Sequence, residues 1–162
     1  MRVETVSIIY QHPRILLGMK KKKLGKGRYN GFGGGIEGEE SVIDCAIRET
    51  LEEASITLVD PEIMGRILFN FESDEQDHLV YFIRASQYTG DPQESDEMTC
   101  EWFEIDKIPY DKMWSSDRYW LPILLGGKKF EGNLVFNENH QIVRYTLDIV
   151  SNVEEMKHNN SY

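Results

Sequence analysis

The most constraining feature of the chain is a run of glycines followed closely by an amphipathic, glutamate-rich helix. Four of the five residues from Gly31 to Gly35 are glycine, and glycine in such numbers disfavours the interior of a regular element. Ser41 is a good N-cap for the helix that follows. Apolar and small residues then recur at helical spacing, which predicts one buried stripe. The predicted stripe consists of Ile43, Ala46, Ile47, Thr50, Leu51 and Ala54.

Three glutamates lie on a different face of this predicted helix. At the α-helical twist, Glu49, Glu52 and Glu53 fall within one arc of roughly 100°, away from the apolar stripe, so we expect them to share one exposed face. Carboxylate oxygens gathered this closely are ligands that Mg²⁺ prefers, with water and substrate phosphate completing its coordination. A solvated helix surface is the alternative. The spacing between the glycine run and the glutamates favours a metal site.

The rest of the chain is typical of a mixed sheet flanked by a few helices. The β-branched and aromatic content, with turn residues between the segments, predicts strands at 3–10, 15–19, 64–71, 79–85, 100–105, 130–136 and 141–150. A second helix is expected at 117–125. We see no repeat or interdomain linker, so we expect one domain over residues 1–151. The polar residues 152–162 are expected to form a disordered C-terminal tail.

The charge and hydropathy of the chain exclude several classes of protein. The formal net charge is −10, which argues against a general nucleic-acid binder. No stretch approaches the ~20 apolar residues of a membrane span, and no signal peptide is visible. Cys45 and Cys100 show neither metal-ligand spacing nor a disulfide framework. We therefore expect a cytoplasmic protein, a monomer, with no nucleic-acid or membrane partner.

The segment from Gly34 to Ile56 resembles the signature of the Nudix hydrolases. That signature is Gly, five residues, Glu, seven residues, then Arg-Glu-apolar-x-Glu-Glu-x-Gly-apolar. This chain has Gly34, then Glu40, then Arg-Glu-Thr-Leu-Glu-Glu-Ala-Ser-Ile over residues 48–56. Every charged position matches at the correct spacing. The two departures are Thr50 for an aliphatic residue and Ser55 for glycine, and neither position supplies a metal ligand.

Segments outside this signature resemble the animal-type MutT branch of the family. Members of that branch sanitise oxidised purine nucleoside triphosphates such as 8-oxo-dGTP. The similar segments are 17–21, 30–34, 69–71, 94–98, 102–103 and 113–120. The similarity extends over nearly the whole chain, up to about residue 150.

The resemblance implies a fold and a metal site. The fold would be the Nudix α/β/α sandwich with a mixed β-sheet, in the α+β class. Mg²⁺, or Mn²⁺ in its place, would be held by the Gly33 carbonyl, Glu49, Glu52, Glu53 and Glu97. Arg48 would orient the glutamates by charge-assisted hydrogen bonds. Glu52, Glu53 or Glu97 would accept the proton during catalysis, and the sequence leaves that choice open.

The resemblance also implies a binding site for a purine nucleoside triphosphate. Lys20 would meet phosphate, Trp114 would stack on the base, and Asn30 can donate and accept hydrogen bonds at its edge. The implied substrate-binding residues are Thr5, Lys20, Asn30, Phe69, Phe71, Met98, Trp114, Ser116 and Asp117. Ser116 stands where this branch has the first of two adjacent aspartates, and Leu24 stands where it has phenylalanine. The phosphate chemistry is therefore better supported than the base preference.

The implied reaction is hydrolysis of an oxidised purine nucleoside triphosphate to the monophosphate and pyrophosphate, in nucleotide-pool sanitation. Two alternatives stay open. One is a Nudix hydrolase with another substrate, such as a dinucleoside polyphosphate or a nucleotide sugar. The other is a non-catalytic Nudix module that binds a nucleotide. Such modules typically lose glutamates of the signature, whereas this chain keeps them all.

Overall fold

The computed structural model describes residues 1–156, which form strands, two α-helices and one 3₁₀ helix. The strands are β1 (Arg2–Gln11), β2 (Arg14–Met19), β3 (Tyr29–Asn30), β4 (Thr57–Val59), β5 (Glu62–Phe71), β6 (His78–Ala85), β7 (Gln87–Thr89), β8 (Glu101–Glu104), β9 (Lys129–Phe136) and β10 (Ile142–Val150). The helices are α1 (Val42–Ala54), the 3₁₀ helix Tyr110–Lys112 and α2 (Asp117–Leu125). Each predicted strand and helix is present within two residues of its predicted bounds. The strands β3, β4 and β7 were not predicted, because two or three residues carry no periodicity.

One mixed sheet organises the molecule. Its strand order is β10-β9-β5-β6-β1-β2-β3, and β8 also pairs with β2. β1 lies parallel to β6, and β5 lies parallel to β9, whereas β5 and β6 are antiparallel. The short strands β4 and β7 form a separate pair. This mixed sheet with two helices confirms the predicted α+β class.

Alternation of side chains along β6 divides the core into two layers. Leu79, Tyr81 and Ile83 share a buried cluster with residues of α1. Val80 and Phe82 point to the opposite face, into the cluster that contains residues of α2. Successive side chains of a strand point to opposite faces, so the two helices cover opposite faces of the sheet. This is the layering of the predicted sandwich.

Helix α1 differs from the predicted stripe at Leu51. That side chain is 49% exposed, so its assignment to the buried stripe is wrong. Leu51 lies nearly a right angle away from the centre of the stripe, beyond the reach of the sheet. Thr50, in contrast, is fully buried, and its hydroxyl donates to the Ala46 carbonyl at 2.7 Å. This bond satisfies the hydroxyl, so threonine replaces an aliphatic residue without leaving an unpaired buried polar group.

Both ends of α1 are set by serine residues. The Ser41 hydroxyl accepts a hydrogen bond from the Asp44 N–H at 3.1 Å, which confirms the predicted N-cap. At the other end, Ser55 adopts a left-handed conformation with a φ of 62°. Its N–H donates to the Leu51 carbonyl at 3.0 Å. Glycine usually occupies this position because it has no Cβ to strain.

Part of the segment predicted as a tail packs on the sheet. Val153 is half-buried against the cluster on the α1 side. The Met156 N–H donates to the Tyr81 hydroxyl at 2.7 Å, and Arg66 donates to the Glu154 carbonyl at 3.2 Å. The remainder of the predicted tail, residues 157–162, lies outside the described residues. Between residues 1 and 156, no helix combines the length and apolar character that crossing a membrane requires.

Candidate active site

The glycine segment, residues 31–35, is bonded to β1. The Ser7 N–H donates to the Phe32 carbonyl at 2.6 Å, and the Thr5 N–H donates to the Gly34 carbonyl at 2.9 Å. A Cβ on Gly33 would collide with the Thr5 carbonyl oxygen, so only glycine fits this close approach. The segment is therefore fixed along the edge of β1 although it forms no regular strand. It provides a rigid wall for the site.

The glutamate face of α1 is turned towards this glycine segment. Glu53 is 2% exposed, and its Oε1 accepts the Gly33 N–H at 2.6 Å. The Glu49 carboxylate lies so close to Gly34 that a Cβ there would collide with it. Only Glu52 is largely in solvent, with 58% of its side chain exposed. The prediction of one exposed face for all three glutamates is therefore wrong, because the glycine segment covers part of that face.

Glu49 and Glu53 are both shielded from solvent and lie near other negative charges. Burial raises the pKa of Glu53 to about 8, and the nearby charges of Glu49 and Glu97 raise it as well, whereas the Gly33 N–H lowers it. Burial also raises the pKa of Glu49, against the lowering effect of Arg48. Positive charge near Glu49 and Glu53 would favour their ionised forms. A bound divalent cation would supply that charge.

Arg48 joins helix α1 to the segment that precedes it in the chain. Its guanidinium bonds Glu40 twice, at 2.6 and 3.0 Å, and donates to Glu49 at 2.8 Å and to the Gly35 carbonyl at 3.1 Å. Glu52 is more distant, at 3.4 Å. Hydrogen bonding to Arg48 holds the pKa of Glu40 at about 2, so this carboxylate is ionised. Glu40 had no role in our sequence interpretation beyond matching the signature, and the structure shows it anchoring Arg48.

The donor atoms at this site fit Mg²⁺, although their arrangement is not preassembled. Within residues 1–156, no three His, Cys, Asp or Glu side chains converge to hold a metal ion, since Glu53 is bonded to Gly33 and Glu49 to Arg48. Mg²⁺ usually takes one or two carboxylates and fills its other positions with water and substrate phosphate. The Gly33 carbonyl accepts no backbone N–H in the same range, whereas the Phe32 and Gly34 carbonyls do.

A cleft of about 730 Å³ brings the predicted site residues together. All predicted metal and substrate residues line it: Thr5, Lys20, Asn30, Gly33, Glu49, Glu52, Glu53, Phe69, Phe71, Glu97, Met98, Trp114, Ser116 and Asp117. Arg48, the remaining predicted site residue, does not line the cleft and instead contacts Glu49 and Glu52. Leu24, noted as a departure from the family pattern, also lines the cleft.

Lys20 and Glu97 reach the cleft through one antiparallel contact between distant segments. Lys20 forms a β-bridge with Met98, and the Lys21 N–H donates to the Glu97 carbonyl at 2.8 Å. The Lys21 ammonium also donates to the Ser95 carbonyl at 2.7 Å. The segments that carry Lys20 and Glu97 are thereby held side by side.

The other end of the cleft is aromatic. Phe69 stacks on Phe136, with ring centroids 5.8 Å apart, and Trp114 lies 5.4 Å from Phe136. Phe69 belongs to the hydrophobic core and also lines the cleft. Aromatic faces of this kind suit stacking against a planar base.

Asp117 is the polar group of this aromatic end. It is 4% exposed, and its Oδ1 accepts from the Trp120 indole N–H at 3.1 Å and from the Ser116 hydroxyl at 3.4 Å. Among the described residues, its Oδ2 has no hydrogen-bond partner. Burial raises the pKa of Asp117 to about 7, and both hydrogen bonds lower it. A buried unpaired oxygen in a cleft is a place for a hydrogen-bond donor of a ligand.

The sequence interpretation missed the residues that surround Trp114. The Arg28 guanidinium carbon lies 4.2 Å from the centroid of the Trp114 ring. The His140 ring lies 4.9 Å from it, and Phe136 completes the contacts. These residues come from segments far apart in the chain, so no local pattern could have indicated them.

The chain matches known proteins over most of its length. The NUDIX domain matches residues 1–124. The chain is 41% identical over 149 residues to a zebrafish (Danio rerio) protein named oxidized purine nucleoside triphosphate hydrolase, with 92% of this chain and 96% of that protein covered. The mouse (Mus musculus) protein of the same name is 40% identical over 146 residues, with coverage of 90% and 94%.

A solved structure has the same fold. The MutT protein from Bacillus halodurans superimposes with a TM-score of 0.81 at 24% identity, covering 91% of this chain and 98% of that one. The domain match, the two relatives and the signature glutamates in one cleft agree. The chain belongs to the Nudix hydrolases.

Proposed function

We propose that this chain hydrolyses oxidised purine nucleoside triphosphates, such as 8-oxo-dGTP, to the monophosphate and pyrophosphate with Mg²⁺, or Mn²⁺ in its place. The observation that carries the proposal is one cleft with two ends of different chemistry. One end holds Glu49, Glu53 and Glu97, and the other holds Trp114 and Asp117. The names of the zebrafish and mouse relatives support the same activity.

The carboxylate end is proposed to act on the phosphates. When bound, Mg²⁺ supplies positive charge that offsets the charge of the triphosphate and of the glutamates. Glu49, held by Arg48, and Glu52 are proposed to hold the cation together with Glu97 and the Gly33 carbonyl. Lys20 is placed to contact a phosphate oxygen.

Glu53 is our choice among the three candidate bases. It is buried against Gly33, and burial with the neighbouring charges raises its pKa to about 8. Without a metal this carboxyl is mostly protonated at neutral pH, and the positive charge of bound Mg²⁺ would favour the ionised form that can accept a proton. We propose that Glu53 takes a proton from the attacking water.

The aromatic end is proposed to select the base. Trp114 would stack on a purine, an interaction of ~1–3 kcal/mol per base. The unpaired Oδ2 of Asp117 would accept a hydrogen bond from the base edge. The Asn30 carboxamide oxygen already accepts the Gly31 N–H at 2.8 Å, so its amide nitrogen is the group that we assign to the ligand. A cytoplasmic location and a monomeric state stay predictions of the sequence.

The test is a substrate panel with product analysis. We would measure kcat/KM for 8-oxo-dGTP, 2-oxo-dATP, dGTP, ATP and a dinucleoside polyphosphate, with and without Mg²⁺. We expect Mg²⁺-dependent release of pyrophosphate and the highest kcat/KM with an oxidised purine. A higher value for the dinucleoside polyphosphate would assign the chain to another Nudix substrate. Nucleotide binding without any product would make it a non-catalytic module.

A further inference from the structure

Trp114 lies outside regular secondary structure, between the 3₁₀ helix Tyr110–Lys112 and α2. The direction of its ring is therefore set by side-chain neighbours. Arg28 lies 4.2 Å from the ring centroid, and the rings of His140 and Phe136 lie 4.9 and 5.4 Å away. Phe136 is fixed in β9, whereas His140 comes from the turn between β9 and β10.

His140 contacts the aromatic wall of the cleft from outside. Its ring centroid lies 4.9 Å from Trp114, 5.9 Å from Phe71 and 6.5 Å from Phe136. All three of these rings line the cleft, and His140 is not among the lining residues. One imidazole therefore supports the three rings that would face a base.

The imidazole is itself held by two other segments. Its Nε2 lies 3.2 Å from both carboxylate oxygens of Glu75, in the turn between β5 and β6. The Ser115 hydroxyl donates to the His140 carbonyl at 3.3 Å. His140 thus joins the β9–β10 turn to the β5–β6 turn and to the loop that carries Trp114.

The backbone of His140 is in the left-handed conformation. Its φ is 57°, a left-handed value that is uncommon for residues with a side chain, although asparagine, aspartate and histidine adopt it more often than others. The turn is held by the Asn137 side chain, which accepts the N–H groups of Asn139 and Gln141 at 2.9 and 3.0 Å. A residue outside the common backbone regions persists where surrounding contacts hold it, and such residues cluster at functional sites.

We propose that His140 is a positioning residue of the base site, which fixes the Trp114 ring in the orientation that stacks on a purine. The proposal rests on the proposed function, because it assigns the base to the aromatic end of the cleft. His140 acts through Trp114 and does not touch the substrate. The carboxylate end is formed by other segments, so loss of the His140 ring should change substrate binding and base preference rather than the phosphate chemistry.

The main variant is His140→Asn, because asparagine tolerates the left-handed conformation while lacking the ring. We expect KM for 8-oxo-dGTP to rise about three- to tenfold, the range expected for loss of one aromatic pair. We expect kcat to stay within about twofold and the preference for 8-oxo-dGTP over dGTP to fall. His140→Phe keeps the ring and should retain most of the wild-type KM.

The matched control is His12→Asn. His12 packs edge-on against Tyr10, with centroids 5.9 Å apart, and neither residue lines the cleft. The same substitution at a comparable aromatic pair should leave KM, kcat and base preference unchanged. An unchanged KM in His140→Asn, or an equal change in His12→Asn, overturns the proposal.

Trp114 fluorescence provides a readout that does not need turnover. Subtracting the spectrum of Trp114→Phe removes the signals of Trp102 and Trp120. We expect acrylamide to quench Trp114 more strongly in His140→Asn than in the wild type or in His12→Asn. If the wild type hydrolyses no purine triphosphate, the proposed function fails, and the quenching experiment then tests the positioning role of His140 alone. Equal quenching in all three proteins overturns that role. Stronger quenching in His140→Asn supports it.

Discussion

Glu53 and Asp117 are two buried carboxylates that line one cleft. Glu53 accepts the Gly33 N–H beside Glu49, whereas Asp117 accepts the Trp120 indole N–H in an aromatic environment. Burial raises the pKa of the first to about 8 and of the second to about 7. Each can therefore hold a proton near neutral pH, which an exposed carboxylate does not. The two groups give separate tests of the phosphate chemistry and the base selection.

Replacing Glu53 should abolish most of the phosphate chemistry. Glu53→Gln removes the proposed base and one negative charge, so we expect kcat to fall by about 10²–10⁴-fold with the fold intact. Pyrophosphate release measures kcat, and circular dichroism checks the fold. The control is Glu39→Gln, an exposed glutamate just before α1, which should keep wild-type turnover. Full activity of Glu53→Gln would contradict the role of Glu53.

The buried Asp117 should make stability depend on pH. Its pKa is raised from 3.8 to about 7 in the folded chain, so the folded state holds the proton more tightly than the unfolded state. The resulting stabilisation is present below the unfolded pKa and is lost as pH rises through about 7. Between pH 5 and pH 8, we expect the free energy of unfolding to fall by a few kcal/mol more in the wild type than in Asp117→Asn, to order of magnitude. Urea unfolding measures this change, and an equal change in both proteins would refute the prediction.

Ser116 should limit the recognition of oxidised purines. Its hydroxyl is buried and lies 3.4 Å from the Asp117 Oδ1. Ser116→Asp would create adjacent carboxylates that share one proton and can both accept and donate. We expect kcat/KM for 8-oxo-dGTP to rise roughly tenfold if one charge-assisted bond of about 1.5 kcal/mol is gained. No change with any oxidised purine would exclude this role.

The residues of the site could be predicted to different degrees. Glu49, Glu52 and Glu53 are carried by a long signature with fixed spacing, so the sequence indicated them. The burial of Glu53 could not be predicted, because helical periodicity defines a face but not the segment that covers it. Arg28 and His140 contact Trp114 only in the folded chain, and nothing in their local sequence indicates that contact.

Helix α1 and the glycine segment form the unit that carries the glutamates. The helix was predictable from its apolar spacing and from Ser41. The path of the glycine segment was not, because the hydrogen bonds that fix it to β1 join residues 25 to 29 positions apart, such as Ser7 with Phe32 and Thr5 with Gly34. The three shortest strands were missed for a related reason, since pairing with distant partners defines them rather than local alternation.

The C-terminal end of α1 offers a test of stability. Ser55 holds a φ of 62°, where glycine has no steric penalty. We expect Ser55→Gly to raise the free energy of unfolding by about 1 kcal/mol. Ser41→Ala, at the other end of the helix, should lower it by about 1 kcal/mol through loss of the N-cap. Urea unfolding measures both, and a neutral or destabilising Ser55→Gly would contradict the argument.

The whole molecule should respond to divalent cations. Its net charge is −10, and Glu49 and Glu53 are crowded within the cleft. A ligand that binds only the folded state stabilises it, by about 2.7 kcal/mol at a hundred times its Kd. We therefore expect Mg²⁺ to raise Tm by much more than NaCl does at equal ionic strength. Glu49→Gln should reduce the increase in Tm caused by Mg²⁺. An unchanged Tm at saturating Mg²⁺ would be incompatible with the proposed metal site.

The most direct test of the proposed function is the ratio of kcat/KM for 8-oxo-dGTP to that for dGTP, measured on the wild-type protein with Mg²⁺. The two substrates have the same triphosphate and differ only in the base. The ratio therefore reports base selection by the aromatic end with Asp117. We predict a ratio of about ten or more, the value of one good hydrogen bond to the base edge, with 8-oxo-dGMP and pyrophosphate as products. A ratio of one or below would contradict selection of oxidised purines by this cleft.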